Sequence, residues 1–432
     1  MSTPFSPVRL YEPIPGDRAD FWRSLLSTHG DVAPALLEPG TRAWLLLSYD
    51  VNKYVLSQDR FFSRDPRQWR EMADGTIGPD SGIRAAWQKR DTALFSDGEE
   101  HRRFSGALLK AFAELSEQHM FANIRTVAQH LIDDFVHEGH ADLIADYTQP
   151  LPLMVMGRLF GLTSPQMSQI VEQTTRTWDG DPEAATAMGR LLFQVTVDAR
   201  QSPDNPHLPA LLLKQGLTET ETAEQLGLLL SAGVDPVAHA TGMALRELLS
   251  DPDLAASRPI MRVSETVNLI LARHTPLETM VARYPLHDVR LGHYDIRAGD
   301  CLLAGFASAS EDLYAGLSLE SIAMNRAHLT FGVGAHRCPR YGQNLAQGMA
   351  ETAISLLLER LPDLRPATPP EEHRWLSNVN LRGLVDLPVR FTPERPAPRA
   401  NVPRPSAYQD TSPPPTAPRR LRGFLSMFGF RN

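Results

Sequence analysis

Cys338 is approached by Phe331-Gly332-Val333-Gly334-Ala335-His336-Arg337 and followed by Pro339, and a helix is expected from about Gly342 to Arg360. This pattern suits a sulfur that acts as a ligand. A glycine-rich turn lets backbone N–H groups approach the sulfur, and the positive end of the following helix lowers a thiol pKa. A thiolate held in this way can ligate iron. As the axial ligand of a haem it pushes electron density onto the metal and favours O–O cleavage. Three plainer readings stand beside it. Gly332-Val333-Gly334 could open a dinucleotide fingerprint, although the third glycine position holds Arg337. Cys338 could be an ordinary buried cysteine. A zinc site would need more ligands than His336 and Cys338 alone.

Such a loop needs a large frame. The chain has 432 residues, 42% of them hydrophobic, which is ample for a core. Its formal net charge of −8 gives no basic face for nucleic acid. With only Cys301 and Cys338, a disulfide framework is excluded and a reducing cytoplasm is the default location. Met1 to Pro15 does not read as a signal peptide or anchor, and the apolar run Leu226 to Val234 is short for a membrane span. Apolar periodicity predicts helices over Gln118 to His137, Pro150 to Leu162 and Ala185 to Ala199. A longer one is expected over Leu217 to Ser250, opened by capping-box chemistry at Thr218 to Glu221. Ala43 to Tyr49 reads as a strand, and Asp288 to Ile296 as a hairpin around Gly292-His293. Val389-Arg390-Phe391 is expected to close the sheet. The coarse fold is therefore mainly α with small peripheral β-sheets.

Phe331 to Cys338 resembles the haem-binding loop Phe-Gly-x-Gly-x-His-x-Cys of cytochromes P450 at every fixed position. Gly342-Gln343-Asn344-Leu345-Ala346 is similar to the family's helix after the cysteine. Gly30 to Pro34, Phe61 to Pro66 and Trp375 to Pro393 look like bacterial, especially actinobacterial, members. The resemblance runs from about Val8 to Pro393 and implies the cytochrome P450 fold, one haem b and Cys338 as the iron ligand. It also implies haem contacts from Phe331, Gly332 and Gly334, and propionate partners in His336, His101 and Arg283. Charged donors are the best holders of carboxylates. The plainer reading of His101 and Arg283 is a solvated surface charge.

The chain departs from the family in four places. Ala232-Gly233-Val234-Asp235-Pro236 aligns with Ala-Gly-x-(Asp/Glu)-Thr, so Gly233 and the acid Asp235 are kept while Pro236 replaces the hydroxyl residue. Proline clashes with the carbonyl four residues back, so the helix is expected to open between Ala232 and Pro236. The Glu-x-x-Arg pair that braces the cysteine loop aligns with Leu269 and Ala272, ahead of His274-Thr275-Pro276. Replacement of a buried pair by apolar residues can leave stability unchanged. The arginine expected four residues after His101 is Ser105, with Arg103 on another helical face. Cys338-Pro339-Arg340-Tyr341-Gly342 holds about two residues more than usual, and Tyr314 to Asn325 lacks the family's Pro-Asp-Arg-Phe element.

Residues 1–393 are thus expected to form the haem domain, 394–418 a proline-rich disordered linker, and 419–432 a basic aromatic tail. The tail could make a weak contact with a membrane or a protein. The resemblance implies monooxygenation of a small organic molecule with electrons from a ferredoxin-type partner. The departures keep two alternatives open: a haem protein that senses or binds without turnover, and haem-thiolate chemistry that uses peroxide or no dioxygen. Trp69, Trp87 and Trp178 are candidate pocket residues.

Overall fold

The computed structural model describes residues 6–394, except 15, 16, 80, 179, 180, 182, 203, 251–259 and 377–379. The linker and tail from residue 395 onward therefore lie outside the described residues. Helices dominate because the apolar stripes of the sequence are built to pack. Glu117–Phe135, capped by the Ser116 hydroxyl, buries Ile124, Val127, Ala128, Leu131, Ile132 and Phe135 along one face. Pro150–Phe160 is buried almost all round, so it runs through the core rather than over it. These helices join Asp235–Ser250 and Arg340–Arg360 in one large apolar cluster.

The main sheet lies outside that cluster, whereas a smaller one contributes Ala141 and Val389 to it. Six strands pair in the order Val8–Arg9, Val32–Glu38, Thr41–Leu46, Leu302–Gly305, Thr279–Pro285 and Phe62–Ser63. The hairpin is present as Val289–Leu291 against Tyr294–Ile296. Pro388–Arg390 does not close the main sheet. It pairs instead with His140–Asp142 and Arg365–Pro366 in a separate three-stranded sheet. It is the central strand there, and its alternating pattern fixes a buried face but does not specify partners.

The stretch expected as one long helix is two: Glu219–Gly233, opened by the Thr218–Glu221 capping box, and Asp235–Ser250. Taken together, Glu219–Ser250 is long and apolar enough to cross a membrane by composition. Most of its apolar window is buried inside the protein, as in a core helix.

Candidate functional site

The cysteine loop is shaped by its glycines. Gly332 and Gly334 adopt φ of +68° and +81°, a region that only glycine enters freely. A Cβ on Gly334 would also stand 2.5 Å from the Leu56 carbonyl oxygen. The turn closes through Cys338 N–H donating to the Phe331 carbonyl at 2.8 Å and Gly332 N–H to Leu329 at 2.7 Å. The helix then starts at Arg340, two residues earlier than expected, so the extra residues form its first turn. Gly342 leaves room for the cysteine, since a Cβ there would lie 3.0 Å from Sγ. Tyr341 stacks on Phe112 with ring centroids 4.0 Å apart and planes at 14°. In the protein alone the Cys338 thiol is not activated. Burial pushes its pKa up to about 11 against the opposing pull of Arg337. The expected lowering by the helix terminus is therefore outweighed, and a metal would have to draw the proton off, as coordination of a thiol does.

A cavity of about 550 Å³ opens over the loop. Cys338 and Phe331 line one wall; Ala232, Gly233, Pro236 and Val237 line the opposite one. The helix breaks at Val234 (φ −98°, ψ −74°), within the expected interval. Pro236 cannot donate to the Ala232 carbonyl, which explains the break. Asp235 is buried on the first turn of the second helix and is not among the cavity-lining residues.

Neither His101 nor Arg283 is a solvated surface group: their exposures are 8% and 1%. His101 and His336 line the cavity, with ring centroids 4.0 Å apart. His101 sets Nδ1 2.8 Å from the Ala93 carbonyl and Nε2 3.2 Å from that of Ala335. His336 meets the Ser96 carbonyl at 2.8 Å and the Asp59 carboxylate at 3.4 Å. Hydrogen bonding to His336 holds the Asp59 carboxyl below its usual range. Arg283 is not in the lining. It stands behind, 3.9 Å from Asp59. Arg64 does line the cavity, fully buried, and sequence reasoning missed it. Desolvation depresses its pKa to about 9, helped by the charge of Arg283, whose own pKa burial lowers to about 10. Two buried guanidinium groups beside two histidines make a cationic edge to the cavity that suits carboxylates. With a sulfur facing the same space, this donor set fits haem b, which brings two carboxylates and an iron.

The remaining departures have structural answers. Arg103 is diverted to an ion pair with Glu221 and lies over the Phe104 ring, while the Ser105 hydroxyl caps the His101 carbonyl at 2.7 Å. Leu269 and Ala272 sit in an apolar cluster with Tyr314 and Ile322. Asn268 on the same helix, Ile260–Arg273, donates to the carbonyls of Ala323 at 2.7 Å and Asn325 at 2.9 Å. The Thr330 hydroxyl donates to Leu271 at the approach to the cysteine loop. Neutral hydrogen bonds thus tie this helix to residues 323–330. Arg340 and Arg337 are exposed beside Cys338. Of the tryptophans, Trp87 lines the cavity and Trp69 is buried in a separate apolar cluster. The side chain of Trp178 lies outside the described residues.

No family model matches the chain. It is 28% identical over 370 residues to the polyketide biosynthesis cytochrome P450 PksS of Bacillus subtilis, covering 81% of this chain and 89% of that protein. It is 28% identical over 382 residues to the cytochrome P450 monooxygenase PikC of Streptomyces venezuelae, covering 83% and 88%. A mycinamicin IV hydroxylase/epoxidase of Micromonospora griseorubida matches at 28% over 376 residues, covering 81% and 90%. Among solved structures, the C–S bond-forming cytochrome P450 enzyme CxnD superposes with a TM-score of 0.78 at 23% identity, covering 91% of this chain and all of that one. CYP154C4 of a Streptomyces species superposes at 0.79 with 21% identity, covering 90% and 98%.

Proposed function

We propose that this chain, which belongs to the cytochrome P450 superfamily and is a haem b monooxygenase of that family, oxidises a small, mostly apolar organic molecule with electrons from a ferredoxin-type partner. One observation carries the reading: a single cavity has a sulfur on one wall, an interrupted helix on the other and buried cations at its edge. Cys338 is the proposed axial ligand, with Phe331, Gly332 and Gly334 shaping its turn. His101, His336 and Arg64 are the proposed carboxylate holders, backed by Arg283. When bound, a thiolate-ligated haem supplies dioxygen activation and oxygen transfer to substrate.

The chain's own groups do the rest. Pro236 leaves the Ala232 carbonyl without its helical donor at the cavity wall, and so offers an acceptor for water where the family has a hydroxyl. Asp235, on the adjoining turn, is the proposed acid that orders that water and exchanges protons with it, and Gly233 keeps the backbone open. Apolar side chains such as Met156, Leu229, Val237 and Phe306 exclude bulk water and orient a carbon skeleton. One relative, PksS, is named for polyketide biosynthesis, and a polyketide-derived substrate would suit such a lining. Arg340, exposed and outside the cavity lining, suits an acidic electron donor, whereas Arg337 is exposed but also lines the cavity.

The test is NADPH consumption and dioxygen uptake with a generic ferredoxin system, with and without polyketide-type candidates. Both are expected to rise with substrate. Haem-loaded protein that consumes neither would overturn dioxygen-dependent turnover. It would favour the second reading that Pro236 supports: haem-thiolate chemistry with peroxide, or binding without turnover.

A further inference from the structure

His239 lies four residues beyond Asp235 on the same helix, so the two side chains leave it on one face. The residues of this helix that line the cavity near the break are Pro236, Val237 and Ala240, so Asp235 and His239 stand on its flank. His239 is 2% exposed, and neither ring nitrogen has a hydrogen-bond partner among the described residues. Burial alone lowers its pKa to about 4, so the ring is neutral, with one donor and one acceptor to satisfy. The ring occupies the space that a side chain at Gly383 would take, since a Cβ there would lie 2.3 Å from Nδ1. Gly383 belongs to the chain segment whose Asn380 lines the cavity.

The same helical face continues to Arg246. Its Nε donates to His373 Nδ1 at 3.2 Å, and its side chain is 22% exposed. His373 Nε2 is buried and likewise without a partner among the described residues. Along this flank stand Asp235 at the break, then His239 and, two turns on, Arg246 with His373 at the solvent end, with Met243 between His239 and Arg246. A histidine kept only for packing normally satisfies at least one nitrogen. A buried ring with both unmet is a site for ordered water.

We propose that His239, with buried water on both sides, is a proton conduit from the Arg246–His373 end of the helix to Asp235, replacing the relay that Pro236 removed. The proposal rests on the monooxygenase reading. In each transfer, water on the outer side gives a proton to the bare ring nitrogen. The N–H on the other nitrogen passes to water on the Asp235 side. The ring keeps its charge, no electrons move, and a ring flip restores the starting tautomer.

The test uses haem-loaded full-length protein in three forms: wild type, His239→Leu and His239→Gln. First, ¹⁵N-histidine NMR of the resting protein reads water contact at the ring without any turnover. A neutral His239 ring that exchanges with water between about pH 5 and 8 is expected. A dry ring overturns the conduit. Second, product formed per NADPH is expected to fall at least about tenfold in both variants, with hydrogen peroxide rising. Haem content and the substrate-induced spectral shift should stay as in wild type. Glutamine can anchor water but cannot relay a proton, so full coupling in His239→Gln overturns the proposal even where the leucine variant fails to fold. If the wild type shows no dioxygen turnover, the monooxygenase reading falls, while the water measurement still decides the conduit.

Discussion

Across the cavity, the cysteine loop takes its geometry from eight consecutive residues, whereas the opposite wall depends on what one proline removes. Gly332 and Gly334 bend the chain, Gly342 clears the sulfur, and each does so through its own backbone or missing side chain. The distal wall has lost its hydroxyl, and its polar groups are spread over Asp235, His239 and the segment around Gly383. The loop can be rebuilt only by restoring the same residue types. The distal wall has a less rigid demand, since ordered water can stand where a side chain stood. The proximal side should therefore break sharply on single substitutions and the distal side should degrade in steps.

The largest effect is expected at the sulfur. Cys338→Ala should abolish the red-shifted Soret band of the reduced, CO-bound protein while leaving the fold intact. A neutral-ligand spectrum in the unchanged protein would remove the thiolate assignment altogether. On the opposite wall, Asp235→Asn should slow turnover by about a hundredfold, the lower end of the usual scale for general acid–base catalysis. Pro236→Thr should leave coupling unchanged or raise it. Equal turnover after loss of the acid would take Asp235 out of the mechanism and make the distal wall a passive one.

The frame around the loop gives the next effect. At Gly334, alanine must enter the left-handed region, at about 1–2 kcal/mol, and also meets the Leu56 carbonyl. Asn268→Ala removes its two hydrogen bonds to the carbonyls of residues 323 and 325, both of which keep Arg326 Nη1 as a donor, a loss of about 0.5–1.5 kcal/mol. Denaturant unfolding should show both losses. Only Gly334→Ala should also reduce haem retention, because Asn268 braces the loop from a distance. If Asn268→Ala costs less than about 0.5 kcal/mol, the surface-substitution range, its amide is not a brace.

The loop was legible because its chemistry is contiguous. Phe331 to Cys338 carries turn, ligand and helix start in one stretch, and no distant partner is needed to recognise it. The helix break was legible for the same reason, since Pro236 acts on its own carbonyl neighbour. Arg64 was not. In sequence it sits beside Asp65 and reads as half of a surface pair, and only folding brings it against Arg283 and the cavity. Asp59 was hidden likewise, although the resemblance around Phe61 to Pro66 marked the neighbourhood. The replacement for the missing ion pair was also unreadable. In its place stand the Asn268 amide and the Thr330 hydroxyl, whose backbone partners leave no trace in side-chain spacing.

The smallest effect is expected on the outer face of the loop, where the comparison of the two walls is sharpest. Arg340 begins the helix after Cys338, within the two-residue insertion, and is exposed with Arg337. Complementary charge mainly speeds the encounter of partners, so Arg340→Glu should raise the apparent Michaelis constant for an acidic ferredoxin by a few-fold and leave the turnover limit unchanged. At about 0.15 M salt the Debye length is near 8 Å, so the effect should shrink from low to physiological ionic strength. A local structural role predicts the opposite: a salt-independent loss accompanied by a change in the Soret band, because the first turn of the helix faces the sulfur through Gly342. Titrating ferredoxin at two salt concentrations separates these outcomes, and the distal variants serve as controls because they should change coupling without changing the salt slope.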